Sequence, residues 1–370
     1  MHKYSLFALL IALTANDAHA TDRIVGATSL YATIGDALLV SSDGDRILVE
    51  PGLYPEDLLI GKSVSILPNQ AGTQPFLSGN IRLANADGKH VLILGIKLAG
   101  HIVKEGTFTQ RTELDIVGSR IDGLIIAVDP YIHVRLLRDT LACQISLSSG
   151  TLIGNEIPGC VGGAAGVLFQ GTSALPDEIR VIGNSLGAYV PWLGVSIVSD
   201  TRFFIENNYI RAANGYPAIT VQRNTVLYSG ISRVLNNTLV RATNASGTAI
   251  ELTINQGAGF VARNNAIIGY TGGLGPFGSS HYSNVVTVAA AIDPSTGGPS
   301  IGSPLIDAGD PDPRYLDLDL TTNDVGCYGG SNSRANFTGP MGSAVVGFMQ
   351  APRVVAQGEP VNISATGFDR

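Results

Sequence analysis

Leu152-Ile-Gly-Asn-Glu-Ile157 returns as Val181-Ile-Gly-Asn-Ser-Leu186, Ile205-Glu-Asn-Asn-Tyr-Ile210, Val234-Leu-Asn-Asn-Thr-Leu239 and Ala262-Arg-Asn-Asn-Ala-Ile267. Fainter copies surround Gly95, Gly118 and Arg138. With Ile96, Ser119, Asp139, Asn155, Asn184, Asn208, Asn237 and Asn265 taken as equivalent, the mean step is about 24 residues, the length of a solenoid repeat. Individual steps run from 16 to 29 residues, as they do when loops of unequal length bulge from successive coils.

Two columns of this alignment are apolar in every copy. Three residues before the reference position stand Ile93, Ile116, Leu136, Leu152, Val181, Ile205, Val234 and Ala262; two residues after it stand Leu98, Ile121, Leu141, Ile157, Leu186, Ile210, Leu239 and Ile267. Residues at one level of a strand repeat stack on their counterparts in the coils above and below, so both columns are expected to run as interior ladders. Between them lies a pair drawn mostly from Gly and Asn, the residues that reach positive φ at least cost, which predicts a corner. The asparagine amides can also bond from coil to coil, and that scaffold role is their expected one.

The ends fit this reading. Tyr31-Ala-Thr-Ile-Gly-Asp-Ala-Leu-Leu39, Gly44-Asp-Arg-Ile-Leu-Val-Glu-Pro-Gly-Leu-Tyr-Pro-Glu56 and Lys62-Ser-Val-Ser-Ile-Leu67 read as a short capping helix and a first coil. A cap is needed because the first rung would otherwise expose its interior and an unpaired edge. Gly302-Ser-Pro-Leu-Ile-Asp-Ala-Gly-Asp-Pro311, Asp317-Leu-Asp-Leu320 and Asn323-Asp-Val-Gly-Cys-Tyr-Gly-Gly330 form a closing segment. Together with the repeat, these stretches resemble secreted right-handed parallel β-helix proteins of the pectin-lyase-like superfamily, and the closing segment is similar to that of bacterial surface β-helix proteins. The expected fold is therefore all-β, a right-handed parallel β-helix (solenoid) with a short N-terminal capping helix. The divisions are a signal peptide at 1–20, cap and first coils at 21–75, the β-helix at 76–300 and the closing segment at 301–340. Residues 341–370 are a linker and the start of an immunoglobulin-like module, from alternating Val361, Ile363 and Ala365 beyond a turn at Gly358-Glu359; the alternative is that this strand docks on the β-helix.

The signal peptide is read from His2 and Lys3, the apolar run Tyr4–Ala15 and the Ala18-His19-Ala20 cleavage pattern. No stretch reaches the roughly 20 uninterrupted apolar residues of a membrane span. The expected place is outside the cell, at its surface or in the periplasm. A net charge of −7 over 370 residues argues against nucleic acid, whose phosphates demand clustered Lys and Arg. Cys143 and Cys160, on consecutive coils, either pair as a disulfide or, with Cys327, pack as buried thiols.

Nucleotide, zinc-protease and hydrolase-elbow motifs are missing. So are the Asp-Asp pair and Gly-His-Gly that would resemble polygalacturonases, and any pattern resembling pectinesterases. The fold resemblance implies a polysaccharide partner, bound along one sheet; if the chain is an enzyme, it is a polysaccharide lyase or a glycoside hydrolase. A lyase of the pectate type would need a calcium-binding carboxylate group beside an arginine base. Four residues before the reference position stand Asp115, Arg135, Arg180 and Arg233, outward-facing candidates for catalysis. The arginines also suit an acidic glycan's carboxylates, with Trp192 as a stacking residue, although exposed arginines on a sheet serve equally to keep it soluble. Lys97 and Arg120 form a second outward group, and His90, His101, His133 and His281 lack ligand spacing. Asp307, Asp310, Asp317 and Asp319, with Asp312 and Asp324 beside them, are candidates for calcium or for turn chemistry. Two functions remain: a surface protein that binds, and in one version cleaves, an extended acidic polysaccharide, or a non-catalytic structural or adhesive module.

Overall fold

The computed structural model describes residues 20–158, 166–171, 178–187, 195–198, 201–213, 215–223, 231–254, 259–274, 281–282, 284–338, 344–351, 355 and 357–369. The chain winds into a right-handed parallel β-helix with three faces per coil. The first face is a sheet of twelve strands running from Asp22–Val25 to His281–Tyr282, every neighbour parallel. Two-residue strands such as Arg120–Ile121 and Thr140–Leu141 make the second face. Strands such as Ile125–Ala127 and Ile145–Leu147 make the third.

Both apolar columns are interior. All sixteen side chains are at most 1% exposed. Ile93, Ile116, Leu136, Leu152, Val181, Ile205, Val234 and Ala262 pair in unbroken register. Each fully buried Ile, Leu or Val contributes about 1.5–3 kcal/mol of transfer free energy, so this stack is the main stabilising term.

The corner between first and second faces is built as the Gly/Asn pairs predict. The first residue of every pair is left-handed: Gly95, Gly118, Arg138, Gly154, Gly183, Asn207, Asn236 and Asn264 have φ between 53° and 68°. The second member builds a polar ladder. The amide N–H of Ser119 donates to Asp139, Asp139 to Asn155, Asn155 to Asn184, and so on through Asn208, Asn237 and Asn265 to Asn284, at 2.7–3.0 Å. From Asn155 to Asn265 each carboxamide also donates to the next one and to a strand carbonyl, so the buried amides are satisfied. Asn284 adds a rung that the repeat alignment did not include.

The cap is the helix Ile34–Val40. Thr33 accepts from the Asp36 amide, and Glu56 accepts from the Ile34 and Gly35 amides at 2.8 Å, while Lys62 donates to the carbonyls of Leu38, Leu39 and Ser41. Residues from the first coil thus complete both helix ends, where the backbone has no internal partners.

The closing segment runs back along the asparagine corner. The outward amides of Asn207 and Asn236 donate to Cys327 and Gly329 carbonyls and to Asn323, and Asn264 accepts from the Asp310 amide. Farther along, where the corner residue is Gly154 or Gly183, the Phe337 ring fills the space a Cβ would take. Residues 344–350 and 364–369 form an antiparallel hairpin, and its Phe348 and Phe368 pack on Leu67, Leu94, Val117 and Leu137 on the outside of the first face.

Candidate functional site

The four outward candidates do share one column of the first face, but not as an open row. In register the column reads Leu92, Asp115, Arg135, Thr151, Arg180, Phe204, Arg233 and Val261. Thr151 separates Arg135 from Arg180, and Phe204 separates Arg180 from Arg233. Their neighbours split the candidates into two groups.

Asp115 is buried, although it lies on the outward side. Arg135 grips it bidentately, Nε to Oδ1 at 2.6 Å and Nη2 to Oδ2 at 2.5 Å, and His90 Nε2 lies 2.8 Å from Oδ2. Glu113 stands 3.7 Å from the same guanidinium. The hairpin closes over this knot: the Phe348 ring lies 4.7 Å from Arg135 Cζ, and Thr366 accepts from Arg135 Nη1 at 3.4 Å. Burial pushes the Asp115 carboxyl up, but the bonds from His90 and Arg135 outweigh it and hold the group below its ordinary value. The Asp115 hydrogen bond holds the His90 imidazole above its ordinary value against burial.

Arg180 and Arg233 flank Phe204, with their Cζ atoms 5.3 and 5.2 Å from its ring centre, and Arg202 joins them at 5.3 Å. Glu178 pairs with Arg180 at 2.7 Å and with Arg202. Among the described residues no carboxylate stands within ion-pair distance of Arg233. Burial lowers the Arg180 pKa, with Glu206 acting against it. Phe204, Arg202 and Glu178 escape a reading confined to charged residues at one alignment position. Phe204 holds that very position in its own copy, and Arg202 lies two residues earlier on the same side of the strand, so the alternation of a β-strand was the available signal.

The acidic segment does not converge. Asp310 pairs with Arg263 at 2.5 Å; Asp317 accepts from the Asp324 and Gly330 amides; Asp319 accepts from Thr321; the Asp307 amide donates to Asp324. These are turn and anchoring contacts, and among the described residues no group of three or more His, Cys, Asp or Glu takes up metal-ligand geometry. Calcium gains no support from this arrangement.

Lys97 and Arg120 are neighbours on the second face, where Lys97 lies over Phe76 and Arg120 pairs with Asp122. His101 accepts the Leu124 amide and His133 approaches Ser149 and Thr151, so both imidazoles are tied into the wall. Trp192 and Cys160 lie outside the described residues, as do residues 1–19, which the sequence reading assigns to a signal peptide. Cys143 donates to the Asp122 carbonyl, while Cys327 is buried and its thiol is pushed up to about 11 by burial.

No family model matches the chain and no curated protein matches its sequence. Among solved structures it is similar to the crystal structure of pectate lyase Pel9A, at 14% identity and a TM-score of 0.38, over 84% of this chain and 96% of that one. At that level the likeness says nothing about what this tube binds. No helix among the described residues is long and apolar enough to cross a membrane.

Proposed function

We propose that this protein is an exported β-helix that binds an extended acidic polysaccharide along the outside of its first face, with Arg180, Arg202 and Arg233 around Phe204 as the anion contact. One observation carries the reading. Among the described residues three guanidiniums converge on one ring while one carboxylate, Glu178, pairs with two of them, so cationic donors outnumber their carboxylate partners there. The Phe204 ring lies within 5.3 Å of all three guanidinium centres, and planar forks suit carboxylate or sulfate better than a point charge does.

The reading is of binding rather than cleavage. A lyase of this type needs an arginine placed to take up the substrate's proton, whereas Arg135 is bound bidentately to Asp115 beneath the hairpin and Arg180 is hydrogen-bonded to Glu178. Arg135 therefore belongs to the closed knot and leaves the ligand-binding set.

Isothermal titration with polygalacturonate tests this. Each guanidinium–carboxylate contact is worth about 1.5 kcal/mol, or roughly tenfold in affinity, so the triple variant R180A/R202A/R233A should lose about a hundredfold or more. Arg46→Ala, in the same column but paired with Asp22, should bind as the parent protein does. If neither polygalacturonate nor a sulfated glycan binds the parent protein, the polysaccharide reading fails and the tube is left as a structural or adhesive module.

A further inference from the structure

Arg138 is the odd residue of its column. Of the eight left-handed corner residues it alone is neither Gly nor Asn, with φ at 55°. A long side chain there carries a strain that either of those residues would relieve, and strain of this kind accumulates where a side chain is needed for something else. Arg138 lines a cleft of about 510 Å³ between this corner, the second face and the end of the closing segment.

The floor of the cleft is a row on the second face, Arg120, Thr140 and Glu156, in consecutive rungs. Gln74 forms one side, its amide donating to the Gly118 carbonyl, and Phe337 and Thr338 form the other. Arg138 Nε donates to the Phe337 carbonyl at 3.3 Å, and burial holds the guanidinium below its ordinary pKa. Both charged ends of the floor already have partners, Arg120 in Asp122 and Glu156 in Arg334, so the floor row is itself charge-matched. The lining brings together the N–H groups of Arg120, Arg138 and Gln74, the hydroxyls of Thr140 and Thr338 and the Glu156 carboxylate, beside the Phe337 ring. Adjacent hydroxyls of a pyranose accept from such donors and donate to such a carboxylate, and the size lies within the range of small-ligand sites.

We infer that the Arg138 cleft is a binding site for a neutral saccharide of one or two pyranose units, separate from the arginine cluster on the first face. The test is titration of the whole protein with lactose, maltose and cellobiose, followed by isothermal calorimetry and protein-observed NMR. At least one should bind with a Kd in about the millimolar range. Thr140→Trp, which fills the cleft, should weaken it tenfold or more. Arg138→Gly should weaken it about tenfold while holding or raising Tm, because glycine fits the left-handed corner; a purely structural Arg138 would instead lower Tm and leave saccharide binding alone. Silence of all three sugars at tens of millimolar, or binding that survives Thr140→Trp, overturns the inference. Polygalacturonate binding by the same samples reports on the first face independently, so the two readings fail separately.

Discussion

Two stretches of one column face outward from the same sheet, two rungs apart, and end in opposite states. At Asp115 and Arg135 the charges are matched, hydrogen-bonded and roofed by the hairpin through Phe348 and Thr366. At Arg180 and Arg233 both guanidiniums lie against Phe204, and of the two only Arg180 has a carboxylate partner among the described residues, Glu178. Backbone geometry is common to both stretches. The difference teaches that in a solenoid the wall supplies spacing, and that the residue on the adjoining rung decides whether an outward arginine is structural or available.

The largest expected effect breaks the matched end. Asp115→Ala leaves Arg135 beneath the hairpin with its bidentate partner gone, and removing one member of a buried pair costs about 3–5 kcal/mol. Glu178→Gln, the corresponding change in the other cluster, should cost about 1 kcal/mol or less, because the glutamine carbonyl can still accept from the partly exposed arginines. Urea midpoints of the two variants measure the contrast. Equal losses would show that the two stretches are alike and that the distinction drawn from their neighbours is empty.

A change of pH probes the same knot more gently. The folded His90 pKa lies above its unfolded value, so its contribution is complete below an unfolded pKa of about 6.5 and is lost as pH rises through the folded value. Asp115 has the opposite sign: its contribution is present above the unfolded carboxyl pKa and is lost as pH falls through the depressed folded one. The stability gap between the parent protein and His90→Gln should therefore be widest below about pH 6.5, while Asp115 is still ionised, and shrink as pH rises through the folded His90 value, with a size below about 1 kcal/mol because His90 is half exposed. A gap that widens with rising pH would mean that the His90–Asp115 contact does not operate in solution.

The interior was legible and the outside was not, for a physical reason. Ile116 and Ile121 stack on their equivalents one coil away, so their identities repeat and alignment finds them. The corner pairs repeat because a positive φ restricts the residue types whatever surrounds them. Outward residues answer to partners that arrive from far along the chain. Thr366 reaches Arg135 across 231 residues and Phe337 reaches Arg138 across 199, and no local pattern announces either meeting. Thus the column of Asp115, Arg135, Arg180 and Arg233 could be read as a column, while the burial of its first member could not. The aspartates from Asp307 to Asp319 show the same limit, since their spacing allowed calcium and their backbone contacts show turns.

The smallest effect sharpens the comparison at its open end. Glu178 is the carboxylate paired with Arg180 and Arg202, and it competes with any anionic ligand for those donors. Converting it to glutamine keeps the shape and removes the competing charge, so polygalacturonate should bind about threefold tighter, a gain that shrinks as salt screens the surface. The same replacement at Glu113, paired with Arg111 and beside Arg135, should leave affinity unchanged, because the Arg135 guanidinium remains committed to Asp115. Titration calorimetry at two salt concentrations separates these outcomes. An equal gain from both replacements would mean that the ligand senses only the overall charge of the face, and the arginines around Phe204 would then have no special claim as the point of contact.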